Sequence, residues 1–265
     1  VWLALPLVLL SGCGVRGTSF PKGDSGAAYV ILYFAGADGG YLAPEARDVA
    51  AANKPLPNTI IEELIRGPSN MLRGTLPGNL KLNSVKVKGT AAYVDFKSDF
   101  TSETGQSLAI NSVVNSLTEL PGIDSVQFLI EGRRYKSPFK RCRSAFKRDC
   151  MNPSQVLQAQ MAFEKKGDYL NGYMLMSDEK SELRKYYGDY VNELDEARDD
   201  GLLEADFTVG DYVLDESGTS AMVRVNFITD APGGERLKGA DVFFKTVLID
   251  GCWRVDWSVY NGGDA

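Results

Sequence analysis

The sequence contains no histidine among its 265 residues. This absence excludes Ser-His-Asp and Cys-His catalysis, histidine proton shuttles and the commonest zinc and iron sites. The sequence also lacks a G-x-x-x-x-G-K-[ST] loop, and no G-x-G-x-x-G opens a predicted helix. There are 35 acidic residues against 29 basic ones, and the net charge of −6 argues against a nucleic-acid partner. The residues therefore predict no cofactor, no metal site and no nucleic-acid binding.

The apolar run at the start of the chain is also too short to be a membrane span. Residues 1–12 are uncharged and are apolar from Val1 to Leu10 apart from Pro6. A bilayer-spanning helix needs roughly 20 apolar residues, so this run has instead the length of a signal-peptide hydrophobic region. Because neither a Met nor a basic stretch precedes it, we expect the natural chain to begin further upstream.

The end of this run carries small residues directly before a cysteine, in the order Leu10-Ser11-Gly12-Cys13. This pattern resembles the lipobox of bacterial lipoproteins, which implies cleavage before Cys13 and a diacylglyceryl group on its sulfur. Two acyl chains make a stable anchor, whereas one binds a membrane only marginally. The alternative is a secretory signal with an unrelated cysteine. Residues 13–27 are rich in glycine without an apolar period and predict a flexible tether, so we expect a lipid-anchored extracytoplasmic protein.

The composition beyond the tether is that of a globular protein, with 44% apolar and 24% charged residues. Residues 28–135 predict a first domain with the order β-β-α-β-β-α-β. A buried strand over 28–34 opens it, a hairpin turns at Gly89, and Gly67-Pro68 and Pro121-Gly122 each end an apolar helix. This order is typical of an α+β layer with helices over one face of a sheet.

The same residues resemble one family in order and spacing. They include Tyr41-Leu-Ala-Pro-Glu-Ala-Arg47, Ile61-Glu-Glu-Leu-Ile-Arg-Gly-Pro68, Ala92-Tyr-Val-Asp-Phe96 and Val126-Gln-Phe-Leu-Ile-Glu-Gly132. They are similar to the GerM domain, named for a spore-germination lipoprotein. The resemblance implies an extracytoplasmic domain of Gram-positive and related bacteria, found in lipoproteins of sporulation, germination and envelope assembly. It implies no catalytic residues. The germination protein has two such domains in tandem, whereas this sequence has one.

Residues 153–265 predict a second domain, in which helices precede four long strands of period 2. Its last hairpin, Phe243 to Trp257 around Asp250-Gly251, resembles the end of the NTF2-like superfamily. That resemblance implies a curved antiparallel sheet wrapped around helices as a cone. The predicted fold class is therefore α+β with two domains, a GerM-like layer and an NTF2-like cone.

A basic joint over residues 136–152 is predicted between the two domains. Eight basic residues lie in or just before this joint, with no acidic residue among them: Arg133, Arg134, Lys136, Lys140, Arg141, Arg143, Lys147 and Arg148. Such a cluster suits anionic lipid head groups, an anionic wall polymer or an acidic partner. The alternative is a solvated linker, or a cluster that pairs with the acidic second domain.

Cysteine is scarce, with four in the chain. In an oxidising compartment Cys142 and Cys150 can close a small loop, although spacing alone does not establish the geometry. Cys252 has no evident partner in the sequence, and we expect a buried thiol there.

These patterns predict a non-enzymatic module that docks envelope or spore-assembly proteins. Two alternatives stay open: a small molecule or wall fragment bound in the cone, and a histidine-free isomerase or hydrolase. The residues for the latter are Tyr169, Tyr173, Tyr186, Tyr187, Asp241 and Asp256. An open cavity with a buried carboxylate would favour the enzyme. A cone filled by Phe and Trp would favour the interaction module.

Overall fold

The computed structural model describes residues 27–50, 54–98, 100, 106–146, 150–177, 186–230 and 236–260. The predicted signal segment, Cys13 and most of the tether lie outside these ranges. Within them, none of the helices combines the length and apolar character that a membrane crossing requires.

The first domain contains two separate sheets. Strands β1 and β2 form an antiparallel hairpin of their own, and four later strands form a sheet in the order β3-β4-β5-β6, in which only β4 and β5 run parallel. The elements are β1 (Ala27–Ala35), β2 (Leu42–Ala50), α1 (Leu56–Arg66), β3 (Leu82–Lys88), β4 (Ala91–Phe96), α2 (Gln106–Leu117), β5 (Ser125–Ile130) and β6 (Arg133–Lys140).

Two glycines confirm the predicted turns. Helix α1 ends at Gly67, whose φ of +92° continues the chain in a conformation that other residues avoid, and its N–H donates to Glu63 O at 3.1 Å. The hairpin between β3 and β4 turns at Gly89, with a φ of +58°.

The first domain extends beyond its predicted end at residue 135. Strand β6 continues the sheet to Lys140, within the segment predicted to be the joint. Its aromatic residues point into the core, since Tyr135 lies opposite Phe128 and Phe139 lies opposite Val126. A register shift between these two pairs breaks the alternation of period 2. The strand was missed because its basic residues and Pro138 resemble a linker.

Strand β1 is buried on both faces, which explains its uninterrupted apolar run. Val30, Leu32 and Phe34 join the core formed by α1, α2 and the inner face of the four-stranded sheet. Ile31 and Tyr33 face the second domain instead.

The edge of β1 that β2 leaves open is covered by helix α2. The Tyr33 N–H donates to Ser116 Oγ at 3.0 Å, and Ser112 Oγ donates to Tyr33 O at 2.5 Å. These two hydroxyls satisfy backbone groups that would otherwise be buried without partners.

The second domain begins with helices and ends in a four-stranded antiparallel meander, as predicted. Helix α3 starts with a capping box between Asn152 and Gln155. Of the helix predicted to open at Ser177, residues 178–185 lie outside the described ranges, and the described helix begins at Tyr187. The elements are α3 (Pro153–Lys165), α4 (Tyr169–Met174), α5 (Tyr187–Asp199), β7 (Asp206–Leu214), β8 (Ser220–Asp230), β9 (Arg236–Ile249) and β10 (Cys252–Tyr260), in sheet order β7-β8-β9-β10.

Apolar side chains fill the space between α3 and this sheet. The alternation predicted for β9 is confirmed, because Phe244 and Thr246 are buried whereas Phe243 is 41% exposed. The buried members are Val156, Leu157, Val223, Val225, Phe244 and Val255, and the partly buried residues that pack against them include Phe207, Phe227 and Trp253.

Candidate functional site

The two domains meet through a shared apolar core rather than through a loose linker. Ile31, Tyr33 and Leu42 of the β1–β2 hairpin pack against side chains from the helices of the second domain. The contributors from the second domain are Tyr173, Met176, Tyr187, Tyr190, Val191 and Leu194. A hydroxyl–backbone bond between Tyr186 and the carbonyl of Tyr29 joins the same two surfaces. The interface therefore holds the domains together as one packed body.

A buried carboxylate lies at the centre of this interface. Glu119, just after α2, accepts hydrogen bonds from Tyr33 Oη at 2.5 Å and from Tyr173 Oη at 3.3 Å. It also forms an ion pair with Arg141, 2.5 Å from Nη2 to Oε1, and its side chain is only 3% exposed. One carboxylate thus connects α2, β1, the joint and the second domain.

Arg141 belongs to this cluster, which corrects its predicted place on an anionic-binding surface. Its guanidinium lies 5.6 Å from the ring centroid of Tyr33 and 5.8 Å from that of Phe146, and Nη1 donates to Asn115 O at 3.1 Å. A guanidinium that is stacked and paired in this way is bound within the protein.

The other basic residues of the predicted cluster lie in different surroundings. Arg143 lies 3.8 Å from Asp250 in the β9–β10 turn, so it pairs with the second domain. Lys147 and Arg148 lie outside the described residues. The remaining four are exposed on β6: Arg133, Arg134, Lys136 and Lys140.

The disulfide joins Cys150 to Cys252, so the predicted Cys142–Cys150 pair and the predicted Cys252 thiol are both wrong. The Cα atoms of Cys150 and Cys252 are 4.9 Å apart, within the range that a disulfide spans. Cys142 belongs instead to the first domain, because the side chain of Asn115 binds both of its backbone groups. Asn115 Oδ1 accepts from the Cys142 N–H at 2.9 Å, and Asn115 Nδ2 donates to the Cys142 carbonyl at 3.0 Å.

The residues that carry the GerM resemblance form a second ion-pair network. Arg47 of β2 pairs with Glu45 and with Glu63 of α1, and Ser69 Oγ donates to Glu45 Oε1 at 2.8 Å. Burial raises the pKa of Glu45, but hydrogen bonds from Arg47 and Ser69 outweigh it and hold that pKa below its ordinary value. This network fastens the end of α1 to β2, so its role is structural.

Another buried carboxylate, Glu164, lies near the end of α3. It accepts hydrogen bonds from Tyr190 Oη at 2.6 Å and from Gln160 Nε2 at 3.1 Å. Burial raises the pKa of Glu164 to about 7, although both hydrogen bonds act against the rise. Gln160 and Glu164 are four residues apart and share the apolar face of α3, and this placement of polar residues was the signal available in the sequence.

We expect stability to fall as pH rises from about 4.5 to 7, because ionised Glu164 is unfavourable only in the folded protein. The folded state holds this proton up to about pH 7, whereas the unfolded state releases it near the ordinary value of 4.5. The difference corresponds to about 3 kcal/mol of unfolding free energy. Glu164→Gln should flatten this part of the profile in urea denaturation, whereas Glu196→Gln, at an exposed position, should not. Parallel profiles for the wild type and Glu164→Gln would contradict the assignment.

The residues of the predicted Asp/Tyr enzyme are spread over two regions. Tyr169, Tyr173, Tyr186 and Tyr187 lie in or beside α4 and α5, towards the first domain. Asp241 pairs with Asn226 across the sheet, and Asp256 lies 3.5 Å from Lys245 Nζ. The aspartates are thus held by neighbouring strands.

A cleft of about 390 Å³ opens at the edge of the domain interface. Asp48 and Tyr29 line it from the first domain, and Tyr169, Tyr187 and Asp195 line it from the second. Glu164 is not among its lining residues, so the carboxylate with the raised pKa and this cleft are separate features.

Comparison with known protein families finds a match in the first domain. Residues 31–136 match the family model described as Germane, for sporulation and spore germination. A search of curated proteins found no match.

Three solved structures are similar to parts of the chain. The tandem GerMN domains of the sporulation protein GerM from Bacillus subtilis are 23% identical, with a TM-score of 0.39, over 49% of this chain and 51% of that one, so the chain spans about half of that structure. The first GerMN domain alone is 22% identical, with a TM-score of 0.39, over 44% of this chain and 98% of that one.

The third is an NTF2-like protein of unknown function from Shewanella oneidensis MR-1. It is 15% identical, with a TM-score of 0.27, over 38% of this chain and 88% of that one. In this chain, the first domain has the predicted order of elements with one further strand, β6, at its end, and the second domain has the predicted helices followed by four strands. Residues 31–136 thus form a domain that matches the Germane family model, and a domain of helices followed by a four-stranded antiparallel sheet comes after it.

Proposed function

We propose that the chain is a lipid-anchored extracytoplasmic protein that acts as a non-enzymatic interaction module in the cell envelope, in sporulation or germination. The Germane match to residues 31–136 supports the link to sporulation and germination proteins. The resemblance of Leu10 to Cys13 to a lipobox supports the anchor.

The observation that carries the interaction role is the packing of the two domains. The space under the NTF2-like sheet is filled by apolar side chains, including Phe207, Phe227 and Trp253. The shared apolar core, together with the hydrogen bonds from Tyr33 and Tyr173 to Glu119, then fixes the first domain against the second. A body of this kind presents its outer surfaces in a fixed relative position, which suits a scaffold for partners better than a ligand-binding cone.

The anchor is tested by membrane fractionation. We expect Cys13→Ala to move the protein from the membrane fraction to the soluble extracytoplasmic fraction, because the sulfur would no longer carry acyl chains. Cys142→Ala is the matched control and should stay with the membrane. If Cys13→Ala also stayed there, lipidation would not be what holds the protein.

The interaction role is tested by crosslinking in native membranes, followed by recovery of the tagged protein. Discrete envelope proteins that crosslink to the anchored form and are lost with Cys13→Ala would support an assembly module. A protein that crosslinks to nothing, yet converts a wall fragment or a small molecule, would overturn the proposal in favour of an enzyme.

A further inference from the structure

The outer face of the four-stranded sheet in the first domain carries most of the exposed positive charge described on that domain's strands. Residues opposite one another in neighbouring strands share a face. The inward face holds Val94 and Phe128, which are buried. The opposite face therefore holds the basic residues of β3 and β6, namely Lys86, Lys88, Arg134 and Lys140, and we call these four the basic sheet face.

Strand register fixes this assignment. Lys86 lies opposite Tyr93 and Lys88 lies opposite Ala91, both on the outward side of β4. On the other edge, Arg134 lies opposite Leu129 and Lys140 lies opposite Ser125, outward positions of β5. All four basic side chains are exposed.

Little negative charge offsets them on this face. Asp95 is the acidic residue of the outward side of β4, and it accepts hydrogen bonds from Asn83 Nδ2 at 3.3 Å and from the Gly132 N–H at 3.0 Å. Among the described ion pairs, none involves a member of the basic sheet face. Lys88 Nζ lies 5.7 Å from the ring centroid of Tyr93, which adds an aromatic side chain to the same surface.

The acidic residues of helix α5 lie at the other end of the molecule. The inner side of the sheet packs on α1 and α2, these pack on one face of β1, and α5 packs on the other face of β1. The outward residues of α5 include Glu193, Asp195, Glu196 and Asp199, all exposed. The protein is therefore electrically polar, with a basic sheet at one end and an acidic helix at the other, although its net charge is −6.

We propose that the basic sheet face docks on an anionic lipid membrane. The four charges are spread over the width of a sheet instead of converging on one point, which fits a plane of anionic head groups better than a single phosphate group. Each basic residue near such a surface strengthens binding by about fivefold, or about 1 kcal/mol. An anionic membrane repels the acidic α5, so the same field turns the basic sheet face towards the lipid.

This inference deepens the proposed function, because it names the surface that an anchored protein meets. The predicted anchor Cys13 precedes β1 by a segment that can extend roughly 50 Å at most, which keeps the first domain within reach of the membrane. Docking through the basic sheet face would direct the NTF2-like domain, including α5, away from the lipid.

The test measures binding of the full chain carrying Cys13→Ala to vesicles, so that lipidation plays no part. The vesicles are phosphatidylcholine alone, or phosphatidylcholine with 30% phosphatidylglycerol, at about 0.1 M salt. The face variant is Lys86→Glu with Arg134→Glu. Its matched control is Arg73→Glu with Lys166→Glu, which makes the same change in net charge at exposed positions away from the sheet.

We expect binding to the phosphatidylglycerol vesicles that weakens in higher salt. The face variant should bind them at least about 25-fold more weakly, and the control variant should bind as the parent chain does. Equal losses in the two variants would overturn the proposal, because net charge alone would then explain the binding.

Two further outcomes would also overturn it. Binding to soluble poly(glycerol phosphate) without binding to vesicles would identify a wall polymer as the partner. If light scattering showed self-association and the face variant abolished it, the partner of the basic sheet face would be the acidic α5 of a second copy. Since the anchor is tested separately by fractionation of Cys13→Ala, failure of the basic sheet face would not be confused with failure of the anchor.

Discussion

Replacing Arg141 with methionine should lower the free energy of unfolding by about 3 to 5 kcal/mol. The substitution leaves Glu119 buried without its cation, while Tyr33 and Tyr173 still donate to it. Burying an unpaired carboxylate is costly, and methionine cannot replace the donors to Asn115 O and Glu119. Urea denaturation followed by circular dichroism measures the loss.

Arg143→Met is the matched control, because Arg143 pairs with the exposed Asp250 at 3.8 Å. An exposed pair contributes at most about 1 kcal/mol, so this variant should unfold close to the wild type. The double variant Glu119→Leu with Arg141→Met should recover part of the loss, because it leaves no unpaired charge. Equal effects of Arg141→Met and Arg143→Met would show that Arg141 is not held in the interface as described.

The second large effect is expected from the disulfide. Replacing both Cys150 and Cys252 with serine should lower the free energy of unfolding by about 4 to 5 kcal/mol, because the bond closes a loop of about 100 residues. Reduction of the wild-type protein should produce the same loss, and reduction should not affect the double variant further.

Cys142→Ser is the control for this experiment. Asn115 holds Cys142 through backbone atoms, which serine retains, so the variant should keep nearly the full stability and its sensitivity to reduction. A wild-type protein whose unfolding is unchanged by reductant would argue against the Cys150–Cys252 bond.

Local patterns in the sequence predict most of the secondary structure. The hairpin at Gly89 and the end of α1 at Gly67 each depend on one glycine with positive φ, a requirement that neighbouring residues reveal. The strands of the meander follow from alternation over long stretches, as the buried Phe244 beside the exposed Phe243 illustrates. Strand β6 was not predicted in the same way, because its register shift interrupts the alternation of buried and exposed residues.

The candidate site is less predictable, because it depends on residues far apart in the chain. The basic residues before residue 149 look like one cluster in the sequence, yet Arg141 is buried against Glu119 whereas Arg134 and Lys140 lie exposed on a sheet. The partner of Cys150 is 102 residues away, and sequence spacing favoured the nearer Cys142 instead. Long-range pairing of this kind is fixed by tertiary packing, which local patterns do not contain.

The burial of β1 on both faces has a consequence for how the chain matures. During synthesis β1 emerges early and can complete its first core with α1 and α2, but the face with Ile31 and Tyr33 is not fully covered until the helices of the second domain follow. A nascent or truncated first domain therefore carries an apolar face that invites aggregation or chaperone binding. The match to the family model ends near residue 136, yet the two domains are expected to unfold as one cooperative unit, because they share this core.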